Sequence, residues 1–224
     1  MAYISTGFTT RGHGFRFVNA FAFSFEFELP LVGTIDLGDT ILGLCGGMCY
    51  AALDYYYAGW RVPSGGVVPD VGSDLHGYLM RRQIDSLLRP LVPLKIMEWM
   101  LRDDDDVAGL TLRREMPKVR RRLNKMNPAV LLLIRGGGMV DPTQNHQVIA
   151  VGCDIHPVTE VITLELYDPN YPGERPTITI DPGPRVGGSL ISGNISLSQS
   201  TGEPLRGFFV QSYRSRKRGL PSLA

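Results

Sequence analysis

The sequence is poor in cysteine, in net charge and in long apolar runs, and each shortage excludes a class of protein. Its 224 residues include three cysteines, too few for a disulfide scaffold, which favours a reducing, cytoplasmic environment. The net charge of +1 gives no overall field that would attract nucleic acid. No apolar run reaches the ~20 residues that span a bilayer, and no secretory signal is recognised at the N-terminus. We therefore expect a cytoplasmic protein with no membrane span.

The composition is that of an ordinary globular chain, with 43% hydrophobic and 20% charged residues, enough to fill a core. An acidic run at residues 103–106 and a basic stretch at residues 113–125 are typical of solvated helix faces or loops. Residues 1–13 are expected to be loose, and residues 30–40 to form a loop. Between them, phenylalanines at odd positions predict a strand, or two strands meeting near Asn19, with one face in the core: Phe15, Phe17, Phe21, Phe23, Phe25 and Phe27.

The middle of the chain has helical signals. An apolar, Ala-rich stretch predicts a buried helix that starts near Cys45 and ends at Gly59. Ser73 or Asp74 is expected to cap a second helix that runs to about residue 88. Further helices are predicted over residues 91–102 and 112–126.

From residue 128 onward the pattern becomes that of strands. The continuous apolar run 129–134 is suited to a central strand, and residues 147–155 and 161–167 predict a hairpin that turns at His156 and Pro157. Shorter strands are predicted at 177–180, 189–198 and 207–213, followed by a basic, frayed tail over 214–224. Helices followed by strands indicate an α+β fold, in one domain: an N-terminal strand region (1–40), a helical lobe (41–127), a β-sheet lobe (128–215) and the tail (216–224).

Cys45 is the candidate nucleophile. At the start of a helix its sulfur would face unpaired backbone N–H groups, and the positive end of the helix dipole favours a thiolate over a thiol. Gly46 and Gly47 remove side chains from the first turn, which would let a carbonyl approach the sulfur and place its oxyanion on N–H groups. Two glycines at a helix start cost roughly 1 kcal/mol each against alanine, so they indicate a need for space or for tight packing.

His146 is the candidate base among four histidines. His13 lies in the N-terminal segment, His156 in a turn, and His76 at a helix start, where a capping or surface role is the default. His146 precedes a strand, a position that the sheet fixes while the side chain faces a cleft. If the hairpin turn centres near residues 157–158, position 146 lies opposite 168–170.

Asp168 is the candidate residue that orients the base. Alternation puts His146, Val148 and Ala150 on one face, with Asp168 on the matching face of the next strand. Opposed residues have Cβ atoms ~5 Å apart, so the carboxylate can accept a ring N–H and leave the other nitrogen for the thiol. Asn170 is the next candidate on that face. The alternative interpretation of residues 168–170 is a plain turn.

These residues resemble the papain-like cysteine peptidase superfamily, in particular the staphopain-like members and the bacteriocin-processing peptidases. The similar elements are Cys45-Gly46-Gly47 opening a helix, residues 145–148 opening a strand, and residues 167–170 closing the next strand. The order Cys, His, Asp also matches, and the layout covers about residues 40–215. The resemblance implies a cleft between a helical lobe and a sheet lobe, and peptide or amide cleavage through a thioester, with Cys45, His146 and Asp168 as the catalytic triad.

The sequence departs from the family where members carry a Gln or Asn shortly before the cysteine as an oxyanion donor. Residues 36–41 hold no such side chain, and an ionised Asp39 opposes negative charge. Gln144 and Asn145 are candidate substitutes from the other lobe, and backbone N–H groups are the remaining option. Losing one donor typically costs ~10²–10³ in rate. Cys49 competes with Cys45 for the nucleophile role, but one turn inside the helix it is expected to point into packing.

Three other interpretations remain open. A thiol acyltransferase, for example a transglutaminase-like enzyme, would use the same triad with an amine as acceptor. A catalytically weak or inactive binding module on the same fold is favoured by the missing oxyanion side chain. A zinc site of Cys45, Cys49, Cys153 and a histidine lacks paired Cys-x-x-Cys spacing, and Cys153 is expected on the strand face opposite His146. We therefore expect a thiol-dependent hydrolase without metal or cofactor. Tyr55, Tyr56, Tyr57 and Trp60 are expected either to shape a cleft wall or to pack in the core.

Overall fold

The computed structural model describes residues 3–22, 26–29, 33–36, 41–88, 91–138, 142–186, 189–190 and 193–222. The predicted α+β class is confirmed, because the described part combines α-helices with an antiparallel sheet. The helices are α1 (Thr10–His13), α2 (Cys45–Ala58), α3 (Asp74–Leu87), α4 (Val92–Met100), α5 (Asp104–Leu110) and α6 (Met116–Leu123), with a π-helical turn over Thr111–Glu115 joining the last two. The strands are β1 (Ile4–Ser5), β2 (Phe21–Ala22), β3 (Glu26–Leu29), β4 (Gly33–Asp36), β5 (Ile41–Leu42), β6 (Ala129–Ile134), β7 (His146–Ile155), β8 (Ile162–Tyr167), β9 (Thr177–Asp181), β10 (Arg185–Val186), β11 (Ser189–Leu190), β12 (Ser196–Gln199) and β13 (Gly207–Val210). A short 3₁₀ turn over Pro142–Gln144 precedes β7.

A seven-stranded antiparallel sheet organises the second half of the chain. Its strand order is β12-β9-β8-β7-β6-β13, and β1 pairs with the far end of β7. The predicted central strand is present as β6, whose six residues are all buried. Such a strand needs cover on both faces of the sheet.

Helices supply that cover on both faces. On one face α2 and α3 pack with the N-terminal aromatics over Val130, Ile149 and Val151. On the other face α6 packs over Leu131, Val148 and their neighbours. The helices of residues 41–127 are thus divided between the two faces of the sheet, and the division of the chain into lobes stays a prediction.

The N-terminal segment differs from its prediction. Residues 1–13 are not loose where described, because β1 pairs with β7 and Phe8 is buried. Phe15, Phe17 and Phe21 pack in the core as predicted, but residues 15–20 form no strand. Their backbone bonds to other partners, as when Phe15 N–H donates to the Tyr167 hydroxyl at 3.3 Å.

Two further boundaries are corrected nearby. Residues 33–36, predicted as loop, form β4 and pair with β3, whereas Phe23, Phe25 and residues 37–40 lie outside the described residues. The helix predicted at 112–126 begins earlier, because Asp103 caps α5 by accepting from the Asp106 N–H at 2.7 Å. The acidic run 103–106 is therefore a helix start, where carboxylates are favoured by the helix dipole.

The predicted hairpin forms β7 and β8, with Ile155 paired to Ile162. The register shifts at Val151, where Ala150 pairs with Leu166 but Gly152 pairs with Glu165. This β-bulge inserts one residue and reverses the alternation beyond it. The segment 189–198, predicted as one strand, contains the separate strands β11 and β12.

Candidate functional site

Helix α2 begins at Cys45, as predicted, and Leu44 at its N-cap makes no side-chain capping bond. First-turn N–H groups are therefore available to other partners. The Gly46 N–H donates to the Cys45 sulfur, as does the Gln147 N–H from strand β7. The Gly47 N–H donates to Gln83 Oε1 at 2.8 Å. The sulfur thus sits where backbone donors from two elements converge.

The structure brings His146 and Asp168 together across β7 and the end of β8. His146 Nε2 lies 2.7 Å from Asp168 Oδ1, and the His146 ring is also hydrogen-bonded to the Cys45 thiol. Since Nε2 is committed to the carboxylate, Nδ1 is the ring nitrogen left for the sulfur. The observed register continues to a 146–170 opposition, within the predicted range. Cys45, His146 and Asp168 therefore form one hydrogen-bonded row.

Burial is graded along this row. Cys45 is 9% exposed, His146 5% and Asp168 0%. All three residues of the row are therefore largely buried, and Asp168 is buried deepest. A low-dielectric setting strengthens each charge–charge interaction within the row.

Hydrogen bonds that involve the N-terminal residue Asn19 help to fix the position of the Asp168 carboxylate. The Asn170 N–H donates to Asp168 Oδ1 at 2.8 Å. The Asn170 side chain in turn accepts from Asn19 Nδ2 at 3.0 Å, and the Asn19 N–H donates to the Pro169 carbonyl at 3.1 Å. Asn170 therefore acts through its backbone on Asp168, and its side chain binds Asn19. Asn19 was not predicted as part of the site.

The electrostatics favour a charged pair. Burial opposes ionisation of Cys45, but the His146 hydrogen bond, the His146 charge and the backbone N–H groups outweigh it and lower the pKa of the thiol below 9.0. Burial disfavours the imidazolium of His146, but the Asp168 charge and hydrogen bonds to Asp168 and Cys45 outweigh it and raise the pKa of the ring to about 9. Both shifts act in the same direction, since a lowered thiol pKa and a raised imidazole pKa each favour a thiolate beside an imidazolium.

The other two cysteines are placed differently. Cys49 is fully buried and its thiol donates to the Gln147 carbonyl at 3.4 Å; burial raises its pKa well above 9.0. Cys49 packs on the α2 face of the sheet, whereas Cys153 packs on the α6 face. Burial raises the pKa of Cys153 to about 11. The predicted placement of Cys153, opposite to the face of Val148 and Ala150, is wrong, because the bulge at Val151 returns it to their face.

The glycine pair is explained by packing. A Cβ on Gly47 would lie 2.2 Å from the Leu79 carbonyl oxygen of α3, and one on Gly46 would lie 2.3 Å from both Gln147 Oε1 and Ser86 Oγ. The space beside these glycines is filled by α3 and by a buried glutamine side chain. Of the two reasons left open for the pair, the structure favours close packing of α2 on α3.

Of the candidate oxyanion side chains, Asn145 has other hydrogen-bond partners and Gln144 is exposed. Asn145 Nδ2 donates to the Pro142 carbonyl at 3.0 Å and to Met100 Sδ at 3.2 Å, and its Oδ1 accepts from the Arg135 N–H. This amide is committed to the loop before β7, which corrects its candidate role. Gln144 ends the 3₁₀ turn with an exposed side chain. The stretch 37–40, with Asp39, lies outside the described residues.

A buried polar cluster next to the cysteine was missed in the sequence. Gln147 Nε2 donates to Ser86 Oγ at 3.3 Å, and Ser86 Oγ donates to the Gln83 carbonyl at 2.7 Å. Gln83 in turn accepts from the Gly47 N–H. Gln83 and Ser86 are three residues apart on α3, so they share a face. That spacing, and the position of Gln147 beside His146, were the available signals.

The remaining histidines lie away from this row. His13 accepts from the Thr9 N–H at 2.9 Å, His156 accepts from the Thr159 N–H at 3.1 Å in the hairpin turn, and His76 packs at the start of α3 against Phe21. In the part of the chain that the structure describes, no group of three or more His, Cys, Asp or Glu side chains is arranged to hold a metal ion. None of the described helices is both long and apolar enough to cross a membrane.

Comparison of the chain with protein-family models, with curated proteins and with solved structures finds no match.

Proposed function

We propose that this protein is a papain-like, thiol-dependent hydrolase that cleaves peptide or amide bonds through Cys45, His146 and Asp168. The observation that carries the proposal is the hydrogen-bonded row of these three side chains, with the acid at its fully buried end. A nucleophile, a base and a residue that orients the base, in this order, make up an acyl-transfer site.

The proposed chemistry starts from a thiolate–imidazolium pair, the form that the directions of the two pKa shifts favour. The Cys45 thiolate attacks the substrate carbonyl carbon, and a carbon–sulfur bond forms. The oxyanion that develops has to accept from a backbone N–H at the start of α2 other than that of Gly47, which is bonded to Gln83 Oε1. The His146 imidazolium gives its proton to the amine nitrogen as the carbon–nitrogen bond breaks, leaving a thioester. Neutral His146 then takes a proton from water, which attacks the thioester and releases the acid and the thiol.

The proposed role of Asp168 is to orient His146 and to stabilise its charged form, and not to act as an acid or a base itself. Its Oδ1 holds His146 Nε2–H at 2.7 Å, so Nδ1 faces the sulfur throughout. Its charge also stabilises the imidazolium form, which is the form that protonates the leaving amine. The Asn170 N–H and Asn19 keep the carboxylate in register.

A binding module without catalysis is the second candidate. It is favoured by the commitment of the Asn145 amide to the Pro142 loop and by the filled space beside Gly46 and Gly47. Both observations leave oxyanion stabilisation to backbone N–H groups.

An acyltransferase differs from the hydrolase only in the molecule that accepts the acyl group from the thioester. With such an enzyme, added amines would yield amides in place of hydrolysis products, and mass spectrometry would detect them.

Alkylation with iodoacetamide at pH 6 separates an activated thiol from an inert one. At that pH a free cysteine, with a pKa of about 8.5, is ~0.3% thiolate. We expect Cys45 to be alkylated at least tenfold faster than free cysteine, and His146→Ala to slow this rate, because it removes the charge that stabilises the thiolate. Cys49→Ala is the matched control and should retain the fast label. If Cys45 reacts no faster than free cysteine, the hydrolase proposal fails.

Hydrolysis is tested with a mixture of unstructured peptides analysed by mass spectrometry for new termini. New termini that appear with the wild-type protein and are absent with Cys45→Ala support the proposal. Cys45→Ala should keep the wild-type thermal unfolding midpoint within a few degrees, since its side chain is small. New termini that persist in Cys45→Ala would contradict the assignment of the nucleophile.

A further inference from the structure

A separate groove of about 740 Å³ lies at the other end of α2, where residues of α1 and of the segment after α2 meet. Three arginines and two aromatic residues contribute to its lining: Arg11, Arg16, Arg61, Tyr56 and Trp60. The 1.5 Å rise per residue places this end roughly 20 Å from Cys45. The groove therefore shares no residue with the thiol site.

The charge of the groove is of one sign. Among the described residues that line it, none is an aspartate or a glutamate. Elsewhere arginines are neutralised, as Arg82 is by Asp54 and Arg135 by Glu203. Among the ion pairs of the described residues, by contrast, none involves the three groove arginines. Guanidinium groups are planar forks that match phosphate oxygens in pairs.

Of the two aromatic side chains that line the groove, Tyr56 is held by packing and Trp60 is exposed to solvent. Tyr56 packs against Phe8 and His13, with ring centroids 5.4 and 5.0 Å apart, so its position is set by the core. Trp60 is 53% exposed, and an exposed indole face beside cations is suited to stacking on a planar ring. Two of the four terminal carbonyls of α2, those of Tyr55 and Tyr56, accept from the Gly59 N–H.

We propose that this groove is a binding site for a nucleoside di- or triphosphate. The phosphates would lie on Arg11, Arg16 and Arg61, and the base would stack on Trp60. The volume falls within the ~300–1,000 Å³ typical of small-molecule sites. An acidic peptide would satisfy the arginines as well, but it offers no planar ring to the indole, which is why the nucleotide is favoured.

The binding experiment uses isothermal titration calorimetry of the full chain with ADP, with inorganic pyrophosphate and with hexaglutamate. We expect saturable ADP binding that is at least tenfold tighter than binding of either other ligand. Arg16→Gln and Arg61→Gln should each weaken ADP binding about tenfold, because each removes a charge-assisted pair of bonds. Trp60→Leu should weaken ADP binding until its affinity is close to that of pyrophosphate. ADP should also quench indole fluorescence from Trp60, since the other tryptophan, Trp99, is buried.

Two control variants make the result specific. Arg121→Gln removes an exposed arginine on α6, on the opposite face of the sheet, and should leave ADP binding unchanged. Cys45→Ala should also bind ADP as the wild-type protein does, so this test is independent of the proposed hydrolase function. The proposal is overturned if ADP does not saturate, if pyrophosphate or hexaglutamate binds as tightly as ADP, or if Arg121→Gln weakens binding as much as Arg61→Gln.

Discussion

Cys45 combines burial with a lowered pKa, which are opposite tendencies for an isolated thiol. Burial alone raises a thiol pKa, as it does for Cys49 and Cys153. At Cys45 the His146 ring and two backbone N–H groups reverse the sign. Three cysteines of one chain thus differ in acidity because of their neighbours, and the chemistry resides in the neighbours as much as in the sulfur.

The pH dependence of hydrolysis is the first prediction at the residue scale. The rate should fall at low pH as the thiolate of Cys45 is protonated. It should also fall above about pH 9, because the pKa of His146 is about 9 and neutral imidazole cannot protonate the leaving amine. We expect a bell-shaped profile of kcat/KM against pH, measured with a peptide cleaved by the wild-type protein. A rate that keeps rising above pH 10 would contradict this assignment.

Replacement of Asp168 is the second prediction at this scale. Asp168→Ala removes the charge that raises the pKa of His146, so the alkaline limb of the profile should move to lower pH. The loss of ring orientation should lower kcat by about 10²–10⁴. Asp154→Ala, which removes an exposed carboxylate from the same hairpin, is the matched control and should change neither. An unchanged alkaline limb in Asp168→Ala would contradict the orienting role.

The three residues of the row could be predicted because each depends on a local rule. Cys45 follows from a helix start, and the His146–Asp168 pair from strand alternation counted back from a turn. The residues that support the row could not be predicted in this way. Asn19 and Gln83 reach the site through tertiary contacts from distant parts of the chain, and no local pattern encodes which residues they contact.

At the scale of elements, the packing of α2 on α3 depends on glycine. Gly47→Ala should destabilise the protein by about 1–3 kcal/mol, because its Cβ would lie 2.2 Å from the Leu79 carbonyl and the backbone would have to move. Gly77→Ala is the matched control on α3. Its Cβ would meet only the end of Arg81 at 3.5 Å, so a gain of about 0.5–1 kcal/mol is expected from helix propensity. Urea unfolding measures the change in the free energy of unfolding for both variants. Equal changes for Gly47→Ala and Gly77→Ala would contradict the packing argument.

Elements were predicted well where a local signal decides them, as the continuous apolar run does for β6 and the capping residue Ser73 does for α3. The failures have specific causes. A single inserted residue at Val151 moved Cys153 to the other face of β7. The helix after the acidic run begins earlier than predicted, because Asp103 is its N-cap as well as a member of the charge run. In both cases one residue changes the outcome for a whole element.

At the scale of the whole molecule, the C-terminal tail, as far as residue 222 where its description ends, packs on the core and is not frayed as predicted. Asp54 on α2 is buried with Arg82 of α3 at 2.7 Å, and the Arg216 N–H donates to the same carboxylate at 2.7 Å. Farther along, the Pro221 carbonyl accepts from the Tyr55 hydroxyl, and Leu220 is buried. Composition predicted a basic tail correctly, but its apolar and backbone contacts depend on surfaces that only the folded chain presents.

Replacement of the Leu220 side chain by that of alanine tests whether the tail stabilises the fold. Leu220→Ala removes buried apolar volume from the cluster that also contains Tyr55 of α2, and it should lower the free energy of unfolding by about 2–3 kcal/mol. Leu101→Ala, at a leucine that is 62% exposed, should stay within ~0.5 kcal/mol of the wild-type value. Because α2 carries Cys45 at its other end, a docked tail also predicts that Leu220→Ala lowers the unfolding midpoint in urea without altering the rate of Cys45 alkylation in the folded state. Equal midpoints for the two leucine variants would show that the tail contributes nothing to stability.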